Sequence, residues 1–151
     1  MYLVSACLAG INCRYDGGNS KNEFVTKLVE EGKALPVCPE ILGGLETPRV
    51  CCEIIVDESR DEKIISKDGE NFTNEFIKGA RKTLEIAKII GAEIAILQSR
   101  SPSCGYGFVY DGEFSGQLRK GNGFTADLLV RNNIAIYTDN DIEKLNSIIN
   151  F

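Results

Sequence analysis

Six cysteines and no histidine define the chemistry open to this sequence. Without imidazole there is neither histidine ligation nor histidine acid–base catalysis, so any bound metal must be held mainly by thiolates, which select zinc or an iron–sulfur cluster. Four of the cysteines sit in loop-like motifs: Ser5-Ala6-Cys7-Leu8, Cys13-Arg14-Tyr15-Asp16-Gly17, Pro36-Val37-Cys38-Pro39-Glu40 and Ser101-Pro102-Ser103-Cys104-Gly105. The gaps from Cys7 to Cys38 and on to Cys104 are too long for a local zinc knuckle, and no C-x-x-C pair occurs, so only folding can unite these thiols. Cys7, Cys38 and Cys104 are the candidate metal ligands, because their glycine, proline and serine neighbours shape loops around ligands rather than fill cores. The glycine-bearing run Leu8-Ala9-Gly10 turns the chain back toward Cys13, which is either a fourth ligand or a bystander. Cys51 and Cys52 read differently. They open a short strand, where neighbouring side chains point to opposite faces, and small buried hydrophobes are expected there.

Residues that move protons or hold polar groups cluster beside these motifs. Glu40 lies two residues from Cys38 and follows a proline, which restrains a carboxylate enough for proton transfer; the bland alternative is a solvated loop glutamate. In Ser99-Arg100-Ser101-Pro102-Ser103 the serines alternate, so an extended segment would align three hydroxyls along one side of a ligand. A histidine-assisted serine nucleophile is excluded. Tyr15-Asp16-Gly17 and Tyr110-Asp111-Gly112 repeat one tripeptide, read either as two turns or as part of a pocket wall. Arg14, with Arg49 and Arg100 behind it, can fix anionic groups. Ser99, Ser103, Asp16 and Arg14 are therefore the candidate substrate contacts.

Apolar runs predict strands at Tyr2–Ala6, Ala34–Cys38, Ile54–Val56, Lys63–Ser66, Glu93–Gln98, Phe108–Tyr110 and Ile134–Tyr137. Helices are predicted over Asn22–Glu31, Thr73–Ile90 and Gly123–Arg131, with a last one after the possible caps Asp139 to Asp141. The firmest is Thr73–Ile90, whose Phe76, Ile77, Ala80, Leu84, Ala87 and Ile90 recur at helical spacing. Alternation of this kind predicts an α/β fold: a three-layer sandwich with a mostly parallel, Rossmann-like sheet and an inserted or edge hairpin around residues 57–62. Cys7, Cys38 and Cys104 then fall at or beyond the C-terminal ends of strands, where open α/β sheets bind ligands.

At 151 residues with 43% hydrophobic content, the sequence is expected to form a single domain over residues 1–151 with a core that needs no disulfide staples. Its first residues read as a strand rather than a signal peptide, and no apolar stretch approaches the about 20 residues of a membrane span. A cytoplasmic location follows, in which thiols stay reduced and clustered cysteines signal metal or catalysis. A net charge of −5 argues against a grip on nucleic acid and for a small-molecule partner.

Together, Ser5-Ala6-Cys7-Leu8-Ala9-Gly10, Cys13-Arg14-Tyr15-Asp16-Gly17, Pro36-Val37-Cys38-Pro39-Glu40-Ile41-Leu42-Gly43-Gly44 and Ser99-Arg100-Ser101-Pro102-Ser103-Cys104-Gly105 resemble the motifs of the microbial 2-thiouracil desulfurases. That family belongs to a wider group long catalogued as a domain of unknown function. The likeness continues through Tyr110-Asp111-Gly112 and Phe114-Ser115-Gly116. The resemblance implies a [4Fe-4S] cluster on Cys7, Cys38 and Cys104, with one iron left open for the sulfur of a thiolated nucleobase. It also implies Glu40 as the proton-handling residue and a helping serine, best matched by Ser101. The expected activity is non-redox conversion of C=S to C=O with sulfide release, by a monomer or homodimer that needs neither nucleic acid nor a membrane. Two other classes compete: a structural or adaptor protein with zinc in a closed tetrathiolate site of Cys7, Cys13, Cys38 and Cys104, and a cofactor-free thiol enzyme with a low-pKa cysteine.

Overall fold

The computed structural model describes residues 1–149. In chain order the elements are β1 (Tyr2–Ser5), α1 (Glu23–Glu30), β2 (Ala34–Val37), α2 (Pro39–Leu42), β3 (Cys52–Val56), β4 (Glu62–Ser66), α3 (Thr73–Ile89), β5 (Ile94–Leu97), β6 (Phe108–Tyr110), β7 (Leu118–Lys120), α4 (Phe124–Arg131), β8 (Ala135–Thr138) and α5 (Ile142–Ile148). A 3-10 turn, Ala6–Ala9, follows β1 directly. The strands β2-β1-β5-β8 form one sheet, parallel throughout. The hairpins β3-β4 and β6-β7 form two small antiparallel ladders outside it. The predicted α/β sandwich with a parallel sheet and an added hairpin is thus the observed architecture, and β7 completes a second hairpin on the expected strand Phe108–Tyr110.

Strand pleating explains the layers. In β1, Leu3 packs with Leu97, Ala87, Ala126 and Leu129 on the α3/α4 side, while its neighbour Val4 packs with Ile96, Val25, Leu28 and Leu145 on the α1/α5 side. A strand buried on both faces has no polar alternation, which is why Tyr2 to Ala6 reads as a plain apolar run. The helix starts are set locally: the Asn22 side chain caps α1 by accepting from Val25 N at 3.2 Å, and Gly123 precedes α4. A third cluster, Ile54, Ile64, Phe76 and Val109, seats the β3-β4 hairpin and β6 against α3.

One contact fixes the site's geometry. Helices α2 and α3 approach so closely at Gly43 and Gly79 that a Cβ on Gly43 would strike the Glu75 carbonyl, and one on Gly79 the Pro39 carbonyl. Here glycine is required by backbone proximity, and the short helix after Cys38 is held in place by the long one.

Four local features depart from the sequence reading. The segment from Ser101 to Cys104 is a turn rather than an extended run, so its serines do not share a side. Residues 39–42 form a helix, and residues 118–120 a strand, neither of which was expected. Cys52 belongs to β3 but is only half-buried, as is Cys51 before it, because β3 lies in a two-stranded ladder with one side open.

Candidate active site

The C-terminal ends of β1, β2 and β5 open on a pocket of about 370 Å³. Each end sends in a cysteine. Cys7 lies in the 3-10 turn after β1, Cys38 caps α2 directly after β2, and Cys104 follows β5 in the loop turned by Ser101. Cys13 joins them: its thiol is in hydrogen-bonding contact with those of both Cys7 and Cys38. The strand ends are laced together beneath the thiols. Ser5 Oγ accepts the Gln98 amide at 2.9 Å, and the Cys7 thiol reaches Gln98 Oε1 at 3.7 Å.

Three of these thiols, Cys13, Cys38 and Cys104, are shifted toward holding their protons. At Cys13 the hydrogen bond with Cys38 pulls the pKa down, but contact with Cys7, burial and neighbouring negative charge outweigh it and push the thiol up to about 11. The hydrogen bond with Cys13 and then burial push Cys38 upward too, and burial raises Cys104 against the hydroxyls of Ser5 and Ser103. A cofactor-free thiol enzyme needs the opposite, a thiolate stabilised at neutral pH. Thiols that resist ionisation alone and line one pocket are donors that a metal converts to thiolates as it binds.

The donor set also separates the metals. Among the described residues, no group of three or more cysteine, aspartate or glutamate side chains is arranged to hold a metal ion. A closed zinc site needs its sulfurs packed about one ion with Zn–S of about 2.3 Å. An iron–sulfur cluster instead takes cysteines at separate corners of a larger body, which suits Cys7, Cys38 and Cys104 arriving from three strand ends. The tetrathiolate zinc reading has no support here.

Glu40 lines the same pocket from the first turn of α2. Its Oε2 accepts from Arg49 Nη2 at 2.9 Å, while Oε1 is buried with no hydrogen-bond partner among the described residues. An orphaned carboxylate oxygen in a pocket wall is unfavourable unless something in the pocket donates to it. Ser101 Oγ accepts the Cys104 amide at 2.7 Å, so its own proton remains available for donation. Ser99 borders the pocket but is tied to Asp139, through its amide at 2.8 Å and its hydroxyl at 3.2 Å.

Two expected substrate contacts are placed elsewhere. Ser103 is 1% exposed, outside the pocket lining, and shares its hydroxyl with Thr125 Oγ1 at 2.8 Å. Asp16 is exposed and accepts the Gly18 amide at 2.9 Å, as Asp111 accepts from Glu113, so both Asp-Gly copies act as turns. Arg14 does reach the pocket wall, anchored to Ser20 Oγ at 2.6 Å and paired with Asp16 at 3.6 Å.

Sequence reasoning missed other wall residues. Cys51 and Cys52 line the pocket, Cys52 while also packing against the Ile54, Ile64, Phe76 and Val109 cluster, and burial followed by the Cys51 charge pushes Cys52 up to about 12 against the pull of Arg49. Tyr110 and Phe114 supply an aromatic wall. Their loop hangs from Glu53, a strand residue 8% exposed whose Oε1 accepts the amides of Gly112 at 2.9 Å and Phe114 at 3.2 Å. Tyr110 had a signal in its repeated tripeptide, Phe114 in the motif that follows it, and Gln98 in its place at the end of an apolar strand.

Comparison with known proteins bears on the family and the fold. Residues 2–141 match the sequence model of the family described as 2-thiouracil desulfurase. The chain is 45% identical over 150 residues to YbbK of Bacillus subtilis (strain 168), described as uncharacterized, which covers 96% of this chain and 99% of that one. The solved structure of the [4Fe-4S]-dependent thiouracil desulfidase TudS shares the fold with a TM-score of 0.87 and 35% identity, and the match covers 98% of each chain. No helix among the described residues is long and apolar enough to cross a membrane.

Proposed function

The chain belongs to the 2-thiouracil desulfurase family, and from that premise we propose that it replaces the thiocarbonyl sulfur of a thiolated pyrimidine such as 2-thiouracil with oxygen from water. It is an iron–sulfur-dependent desulfurase whose cofactor is a [4Fe-4S] cluster. We assign the cluster to Cys7, Cys38 and Cys104, in one domain spanning residues 1–151, with Cys13 beside the ligands rather than among them. The observation that carries the reading is the convergence of those thiols with an unpartnered Glu40 oxygen in one pocket.

The net reaction is C=S plus water giving C=O plus hydrogen sulfide, with no change of oxidation state. Bound through three thiolates, the cluster supplies an iron without a protein ligand, a Lewis acid suited to a soft thiocarbonyl sulfur. The protein does the rest. Glu40 Oε1 accepts a proton from the water that attacks the carbon and returns it to the departing sulfide. Ser101 Oγ, held by the Cys104 amide, donates its hydroxyl proton to a polar atom of the substrate ring. Tyr110 and Phe114 flank a planar ring, and Arg14 sits at the rim for its polar edge.

The test is sulfide release from 2-thiouracil by anaerobically prepared protein, with Glu40→Gln and Ser101→Ala as variants. Glu40→Gln is expected to lower kcat by about 10²- to 10⁴-fold with the cluster intact. Full activity in Glu40→Gln would remove Glu40 from the reaction.

A further inference from the structure

We infer that Arg49 is a positioning residue for this reaction, acting through Glu40: its guanidinium fixes one carboxylate oxygen and leaves the other to the pocket. The inference rests on the reading of Glu40 as the proton carrier and deepens it.

Arg49 lies between α2 and β3, and the sequence offers it only as a secondary holder of anionic groups. Its backbone amide donates to Tyr15 O at 2.8 Å, fastening the segment to the loop that carries Cys13. Its side chain is engaged on both terminal nitrogens. Nη1 donates to Glu46 O and to Thr47 Oγ1, each at 3.1 Å. Nη2 donates to Cys13 O at 3.0 Å and to Glu40 Oε2 at 2.9 Å. With 12% of the Arg49 side chain and 16% of that of Glu40 exposed, the pair is largely withdrawn from water.

A planar fork held at four acceptors has one orientation, and it hands that orientation to whatever it touches. Here it touches a single oxygen of Glu40. A bidentate grip would occupy both oxygens and leave no base. The one-sided grip compensates the carboxylate charge at Oε2 and leaves Oε1 free and buried, which is the placement a proton acceptor needs. The same nitrogen holds Cys13 O, which the Cys38 thiol also approaches at 3.8 Å. The carboxylate is therefore registered to the cysteine loop as well as to its own helix. Lysine cannot substitute, because its donors radiate from one point on a flexible stem.

A structural clamp alone would stabilise the loops without bearing on Glu40. The two roles are separated by a cycle of Arg49→Met, Arg49→Lys, Glu40→Gln and the two double variants, each in anaerobically reconstituted enzyme. Measured for each are kcat and KM for 2-thiouracil, iron and sulfide content, and the thermal midpoint. Arg49→Met is expected to lower kcat on the order of 10²-fold, with KM little changed and full cluster content. Arg49→Lys keeps the charge but not the fork and is expected to stay well below the parent. Added to Glu40→Gln, Arg49→Met is expected to cost no further kcat, and the double variant to melt no lower than Arg49→Met alone.

Equal loss of kcat from Arg49→Met with and without Glu40→Gln would show independent action and overturn the inference. So would a change confined to KM or to cluster content. If Glu40→Gln is inactive and Arg49→Met retains full kcat, the inference about Arg49 alone falls. If Glu40→Gln retains full kcat, the reading of Glu40 fails and takes this one with it. Should Arg49→Met not fold, the cycle with Arg49→Lys makes the same decision.

Discussion

Thiols that keep their protons distinguish this pocket from a nucleophilic cysteine site. Against the pull of its hydrogen bond with Cys38, Cys13 is shifted upward by contact with Cys7 and burial, Cys38 by its hydrogen bond with Cys13, and Cys104 by burial, so the protein alone does not prepare a thiolate. Cys52 offers a cleaner probe, since it is not one of the proposed ligands. Its pKa is raised from 9.0 to about 12, so the folded protein holds that proton more tightly than the unfolded chain does. The resulting stabilisation is complete below pH 9 and is lost as pH rises through about 12. In iron-free protein, Cys52→Ala is expected to flatten the alkaline limb of the urea-midpoint profile, and an unaltered limb would show that the shift is absent. Cys13 yields a second expectation. Cys13→Ser should retain its iron in anaerobic preparations, because Cys13 is assigned beside the cluster rather than on it.

Two elements hold the site by contacts that a single methyl group or a single carboxylate decides. Helix α2 carries Glu40 and begins at Cys38, and its docking on α3 leaves no room for a side chain at Gly43 or Gly79. Gly79→Ala is expected to destabilise the fold by about 1–3 kcal/mol, the usual range for overpacking, and to reduce cluster content by displacing Cys38. Denaturant midpoints and iron analysis check both, and wild-type values for both would contradict the docking. The loop over the pocket depends likewise on Glu53. Glu53→Ala leaves the amides of Gly112 and Phe114 without their acceptor. It is expected to raise KM for 2-thiouracil more than it lowers kcat, because the aromatic wall is freed while Glu40 is untouched. The apolar period of Thr73–Ile89 and the plain apolar run of Tyr2–Ser5 were legible in the sequence for the reason that burial writes them there. The strand Leu118–Lys120 was not, being three residues long and largely exposed, and the four-residue α2 is too short to show a period.

The molecule as a whole assembles its site from segments distant in sequence, and this decides what a reader of residues can find. Motif composition marked Cys7, Cys38, Cys104 and Glu40, the family resemblance singled out Ser101, and the fold brings all of them to one pocket. Composition could not show that Ser103 turns inward to Thr125, because the three-serine alternation assumes an extended segment and the chain turns there. Nor could it show that Cys51 and Cys52 face the pocket, since a strand in a two-stranded ladder and one in a buried sheet open alike in sequence. Strand order, with β1 at the centre between β2 and β5, is likewise a product of tertiary packing. The central claim is that three strand ends jointly hold one iron–sulfur cluster with an open iron. Its most direct test is iron and sulfide analysis with an absorption spectrum on anaerobically purified protein and on Cys7→Ala, Cys38→Ala and Cys104→Ala. The expected result is a brown parent protein with about four irons per chain and loss of the intact cluster in each of the three variants. A parent protein with stoichiometric zinc and no iron, or a variant that keeps a full cluster, would contradict it.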